Sequence, residues 1–189
     1  SGVIVGGALT ATGAFDLDNT SGQITAGVVT ATTIQSGAGS TILSVTSSGV
    51  GIGTTTARAE LDVQGKAKFT SYYEIAEAVT SSSNDVELDL TKSQTFTLTT
   101  SENVTTFTLT GAAANSTTAF TLKVTQGTTP YTVDLDSFRT TSNAVIPVYW
   151  PGGIAPTMTN VASKTDIYSF MTFDGGASLY GVVGGQNFS

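Results

Sequence analysis

A chain of 189 residues with seven Lys and Arg against fourteen Asp and Glu, net charge −7, has no basic cluster to neutralise phosphate or hold an anionic membrane surface. This argues against nucleic acid and lipid headgroups as partners. It contains no cysteine and no histidine, so disulfides, thiolate and imidazole metal sites, and Ser-His-Asp or Cys-His nucleophiles are out of reach.

No apolar run approaches the ~18 residues of a membrane helix, and membrane insertion is not expected. The chain opens on Ser1 rather than Met, as the end of a longer polypeptide would. Residues 1–71 hold Asp16, Asp18, Glu60 and Asp62 against Arg58, Lys66 and Lys68, while the acidic excess and most aromatic residues fall in 72–189. That shift predicts two domains, a β-repeat stalk with its collar over 1–71 and a head over 72–189.

Short β-like runs broken by glycine fill the first part. They are Val3-Ile4-Val5, Ala8-Leu9-Thr10, Ile24-Thr25, Val28-Val29-Thr30, Thr33-Ile34, Ile42-Leu43-Ser44-Val45, Val50-Gly51-Ile52 and Leu61-Asp62-Val63. GALTATGAFDL from Gly7 and GVVTATTIQS from Gly27 read as loose copies of one unit. Repeated glycine and β-branched residues disfavour helix, and isolated strands this short do not persist in water. Their apolar faces need a cover, and copies of the same chain wound about a threefold axis are the economical source. A flexible linker and a single-chain solenoid are the competing readings, the latter weakened by irregular spacing.

Between Gly49 and Gly65 the two parts meet. Val50 and Ile52 alternate with Gly51 and Gly53, which would permit close packing at an axis, and Leu61 and Val63 alternate with Glu60, Asp62 and Gln64 as a half-buried strand. Val50, Gly51, Ile52, Gly53, Leu61 and Val63 are the expected trimer collar. Arg58, beside Glu60, reads as a solvated charge, because an exposed pair is worth only ~0–1 kcal/mol.

The run Gly51-Ile52-Gly53-Thr54-Thr55-Thr56-Ala57-Arg58-Ala59-Glu60-Leu61-Asp62-Val63-Gln64-Gly65 closely resembles an element recurrent in bacteriophage tail-fibre and related virion fibre proteins. GVVTATTIQ resembles the GVVTAT repeats of marine phage fibres, cyanophage fibres especially. The resemblance implies a homotrimeric, intertwined β stalk in a virion, on a tail fibre ahead of the capsid surface. It also implies other virion proteins as neighbours and a host surface glycan or protein as target. Ala57 stands where the family usually has proline, which leaves the turn less stiff.

In the head, Tyr72 to Val79 reads equally as one or two helical turns or as an entering strand. From Val86 the alternation is strong: Val86, Leu88 and Leu90, then Phe96 and Leu98, then Val104, Phe107 and Leu109, then Phe120, Leu122 and Val124, then Tyr131, Val133 and Leu135. Strand-like runs separated by Asn, Ser and Gly turns predict an antiparallel sandwich or jelly roll. The expected class is therefore all-β, an intertwined trimeric stalk followed by a C-terminal antiparallel, jelly-roll-like β-sandwich head. Asp174-Gly175-Gly176 is a hairpin signal, with Leu179 to Val183 returning. The pattern of Trp150-Pro151-Gly152-Gly153, Pro156, Asp166, Phe170, this turn and Tyr180-Gly181 resembles the C-terminal head of phage structural proteins.

Asp85, Glu87 and Asp89 would share one strand face, and Asp134 and Asp136 form a similar pair. A solvated face is the ordinary reading of both, ahead of a Ca²⁺ site. Asp16-Leu17-Asp18-Asn19 lacks the glycine and distal glutamate of a calcium loop. No catalytic residue, metal ligand or cofactor is expected; the enzymatic alternative is carboxylates that cleave polysaccharide. Trp150 is expected to pack in the head or at a trimer interface rather than to offer, with Tyr149, Tyr131 and Tyr180, a platform for sugar rings. Host contacts are expected on loop tips, with Ser101, Glu102, Asn103, Asn115, Gln126, Thr128, Thr129 and Ala177 as candidate receptor-binding residues. A capsid-decorating protein would turn the same loops toward another virion protein.

Overall fold

The computed structural model describes residues 33–36, 40–47 and 49–189. The runs from Val3 to Thr30, with both TAT-containing copies and the Asp16–Asn19 turn, lie outside the described residues. The chain divides between Thr70 and Ser71 into two compact units. The described residues of both are built from strands, with no α-helix among them.

In the first unit β1 (Thr33–Ser36), β2 (Ser40–Thr46), β3 (Gly49–Ile52) and β4 (Leu61–Val63) form one sheet in that order. The first two pairings are antiparallel, and β3 with β4 is parallel. Residues 53–60 carry the chain back between the parallel strands. Gly53 turns with φ +75°, and the return is fastened where Val50 N donates to Glu60 O at 2.8 Å and Gln64 N to Ile52 O at 2.9 Å.

The second unit holds β5 (Ala76–Val79), β6 (Asp85–Asp89), β7 (Thr95–Thr99), β8 (Thr106–Thr110) and β9 (Thr118–Thr125). There follow the short β10 (Phe138–Arg139), β11 (Val145–Ile146) and β12 (Val148–Tyr149), a 3₁₀ turn at Pro151–Gly153, and the long β13 (Thr165–Thr172) and β14 (Leu179–Phe188). One sheet is ordered β12-β14-β13-β9-β7-β5 and the other β11-β10-β8-β6. Of the ambiguous stretch, Ala76–Val79 is strand.

The antiparallel expectation for the head is corrected: both sheets are mixed. Successive strands from β5 to β10 alternate between the sheets, so two neighbours within a sheet are separated in sequence by a strand in the other layer. They therefore run the same way. β5 with β7, β7 with β9, β6 with β8 and β8 with β10 are all parallel. Only the final hairpin, β13–β14, and its pairing with β9, together with β10–β11, are antiparallel.

One core joins the layers. The triplet Phe-Thr-Leu occurs three times, at Phe96–Leu98, Phe107–Leu109 and Phe120–Leu122, and each time the Phe and Leu are buried. Phe107 stacks on Phe138 at 5.0 Å and Phe120 on Phe170 at 5.1 Å, while Phe138 meets Phe170 at 5.0 Å across the two sheets. Each such side chain contributes ~1.5–3 kcal/mol by leaving water.

Candidate functional site

The collar sheet has two unlike faces, set by strand register. Val45 pairs with Val50 and Val50 with Leu61; Leu43 pairs with Ile52 and Ile52 with Val63. Directly paired residues, and residues two apart along a strand, share a face. Leu43, Val45, Val50, Ile52, Leu61 and Val63 thus form two apolar rows on one side. Val45, Ile52 and Leu61 are exposed, Leu61 by 53%, and the other three are half-buried. Four of the six expected collar residues meet on this face, with Leu43 and Val45 added to them.

Gly51 does not join them, and its expected close packing at an axis is corrected; Gly53 lies beyond β3, exposed in the turn. Gly51 is one residue out of phase, so it lies on the opposite face between Ser44 and Asp62. A Cβ there would stand 2.8 Å from the Thr54 carbonyl oxygen of its own chain. That back face is closed by the 54–58 segment, with Ala57, Ser44 and Asp62 buried. Arg58 is not a free solvated charge. Its Nε and Nη2 donate to Asp62 Oδ2 and Oδ1 at 2.7 and 2.9 Å, and its backbone N donates to Oδ2 at 3.0 Å. The side-chain bonds from Arg58, then its backbone bond, hold the Asp62 carboxyl down at about 2. The polar residue of the Leu61-Asp62-Val63 alternation therefore points inward, and the apolar pair is half-buried to exposed.

The head loops fall at two opposite ends. Ser101, Glu102 and Asn103 sit beside the 126–132 loop: Asn84 N donates to Glu102 Oε1 and Thr132 N to Asn103 Oδ1, both at 3.0 Å. Thr128 and Thr129 are exposed at the same end. Asn115, with φ +57°, and Ala177 lie at the other end, where the 111–117 loop packs against the Asp174-Gly175-Gly176 turn. In that turn Asp174 accepts from Ser178 Oγ, Ser178 N and Thr172 Oγ1 at 2.6, 3.0 and 2.8 Å, which lowers its carboxyl to about 2.

Gln126 is corrected as a surface residue. It is only 2% exposed, and its amide is fully engaged. Oε1 accepts from Thr100 Oγ1 and Tyr131 N, and Nε2 donates to the carbonyls of Tyr131 and Thr159, all between 2.7 and 3.0 Å. It clamps three loops together from inside.

Sequence reasoning named Tyr149 and Tyr180, with Trp150 and Tyr131, as a candidate aromatic platform but did not join them to Met171 and Phe173 on the outer face of the six-stranded sheet. Tyr168, Phe170 and Thr172 point into the core, which leaves Met171 and Phe173 outside, joined by Tyr180 and Val182 from β14. Phe173 and Tyr149 both pack on Tyr180, with ring centroids 5.6 and 5.3 Å away. Beside these aromatics runs an open groove of about 400 Å³, with Ala119, Thr121 and Ser169 among its lining and Glu74, Gln94 and Thr95 on the far side. The signal was present in β13, where both phases of the alternation carry large apolar residues.

Trp150 is buried; its Nε1 donates to Asp136 Oδ1, and its ring stands edge-on to Phe170 at 5.6 Å. Asp85 accepts from Thr108 Oγ1 at 2.9 Å, and Asp89 accepts from Thr91 N and Oγ1. Comparison with protein-family models, with curated proteins and with solved structures finds no match for this chain.

Proposed function

We propose that this chain is a homotrimeric fibre protein of a phage virion, in which three copies associate through the collar face and three heads attach, multivalently, to a host surface glycan or protein. The observation that carries the reading is the two-row apolar face of Leu43, Val45, Val50, Ile52, Leu61 and Val63. Three of the six, Ile52, Leu61 and Val63, lie within Gly51–Gly65, the stretch whose sequence resembles virion fibres. A sheet whose polar row is turned inward and whose apolar rows are turned out is built to be covered, and a closed threefold ring of the same chain covers it without an unpaired remainder.

Adhesion then follows from repetition rather than tight single contacts. Three heads on a fibre, and several fibres on a particle, make later contacts intramolecular and raise avidity by orders of magnitude. The exposed loop tips of the head suit such contact, at Ser101, Asn103, Thr128 and Thr129 at one end and Asn115 and Ala177 at the other. A tail-fibre location suits this role better than capsid decoration, and no catalytic step is assigned.

The test combines mass in solution with adsorption. A trimer that binds host cells and competes with whole particles for adsorption is expected. A monomer at micromolar concentration overturns the trimer, and a trimer that binds only other virion proteins overturns host attachment.

A further inference from the structure

We propose that the groove on the outer face of the six-stranded sheet receives the 72–75 arm of a neighbouring copy, so that the heads join head to tail around the threefold axis. The inference rests on the trimeric reading above and adds a second, separate contact to it.

Two unlike surfaces of the head call for a cover. The first is the groove, walled by Met171, Phe173 and Tyr180, with Phe173 59% exposed. The second is the arm that leads into β5, where Tyr72, Tyr73 and Ile75 are exposed and Tyr73 is 97% so. The root of the arm is fixed at the sheet edge: Ser93 Oγ donates to the Ile75 carbonyl, and Thr95 Oγ1 donates to Glu74 Oε2 at 3.2 Å. The arm is thus held to its own body while its aromatic side chains stand away from it.

A ring of identical copies needs two different, complementary patches on each copy. Here they adjoin, because Glu74 of the arm borders the groove of its own copy, so a neighbour's arm would lie alongside the resident one. The groove also suits the occupant. One wall is apolar and aromatic, and the other offers the Glu74 carboxylate and the Gln94 amide, so a tyrosine ring can lie against the first and its hydroxyl can reach the second.

Area sets the scale of the contact. Aromatic side chains bury ~150–250 Å² each, so at the observed exposures full cover of Tyr72, Tyr73, Ile75, Met171, Phe173 and Tyr180 removes roughly 600–900 Å². That is below the ~1,200–2,000 Å² of interfaces stable on their own, so the contact acts together with the collar contact. A monomer seldom leaves more than a few hundred Å² of contiguous apolar surface open.

The absence of cysteine makes the test direct. Tyr73→Cys and Met171→Cys are made in separately tagged full-length chains, co-expressed and oxidised. Cross-links joining the two different tags are expected, at least tenfold above those in either variant alone. Phe173→Ala and Tyr73→Ala, both at exposed positions, are expected to move the concentration midpoint of trimer dissociation at least tenfold higher. Trimers that form without the mixed cross-link, or that tolerate both alanine variants unchanged, overturn the inference and leave the collar trimer standing. A wild-type chain that stays monomeric overturns both.

Discussion

Trp150 lies across Gly181, where a Cβ would stand 2.6 Å from the indole atoms Cη2 and Cζ3. The ring is buried and held by Asp136 and Phe170, so moving it off Gly181 gives up those contacts. Gly181→Ala is expected to destabilise the head by ~1–3 kcal/mol through overpacking. Trp150 is the single tryptophan, so thermal melting followed by its fluorescence reports the loss. An unchanged midpoint would show that the ring shifts freely.

At the collar, Leu61→Ser removes an apolar side chain from the open rows and touches nothing on the closed back face. If half of a leucine side chain is covered on assembly, each copy loses ~1 kcal/mol and a trimer ~3 kcal/mol. That corresponds to a roughly hundredfold weaker association, measurable by sedimentation. Gly51→Val is the less informative change, because it strikes the Thr54 carbonyl within its own chain.

Gln126 and Thr128 are two residues apart and should behave oppositely. Gln126→Ala strands the groups of Thr100, Tyr131 and Thr159 that the amide satisfies. A loss of ~2 kcal/mol or more is expected from unmet buried partners. Thr128→Ala, on the exposed tip, should leave the melting midpoint unchanged while altering adsorption to host cells. Denaturant melts of both variants, paired with adsorption assays, check the contrast.

Acid should loosen the head and the collar through different carboxylates. Burial works to raise the fully buried Asp166, but hydrogen bonds from Thr159 N, Asn187 N and the Tyr168 hydroxyl outweigh it, so its carboxyl lies below the ordinary value. A depressed carboxylate contributes stability that is present above the unfolded value, ~3.9, and is lost as pH falls through the folded one. Asp62 acts likewise, down to about 2. The collar should therefore lose stability between about pH 4 and pH 2, and the head as pH falls below about 4. Asp166→Asn should flatten that slope for the head; a slope of unchanged steepness would remove Asp166 from the account.

Much of the core was legible in the sequence. Val86, Leu88, Phe96, Leu98, Phe107, Leu109, Phe120, Leu122 and Val124 are inward as their alternation indicates. Strand direction was not legible, because a period-two pattern is the same in parallel and antiparallel sheets. The links β6–β7 and β7–β8 are also short enough to read as hairpins, although they cross between layers. The pattern put Val50, Ile52, Leu61 and Val63 on one face, but it did not place Gly51 on the other, and the inward turn of Asp62 depends on Arg58 folding back to it. Gln126 was misplaced because Gln126-Gly127-Thr128 has the composition of a loop tip, whereas its partners Thr100, Tyr131 and Thr159 converge only in three dimensions.

The strand order also governs how such a protein behaves when crowded. In the larger sheet the longest strands, β9, β13 and β14, are central, and the flanks are the four-residue β5 and the two-residue β12. Long flat margins with free N–H and C=O groups are what let neighbouring sheets zip together into aggregates. The β5 border is such a stub, but β12 covers only Leu179 and Tyr180 of the ten-residue β14. A crowding neighbour therefore finds its longest strand margin along β14 beyond Tyr180, and little to pair with at β5.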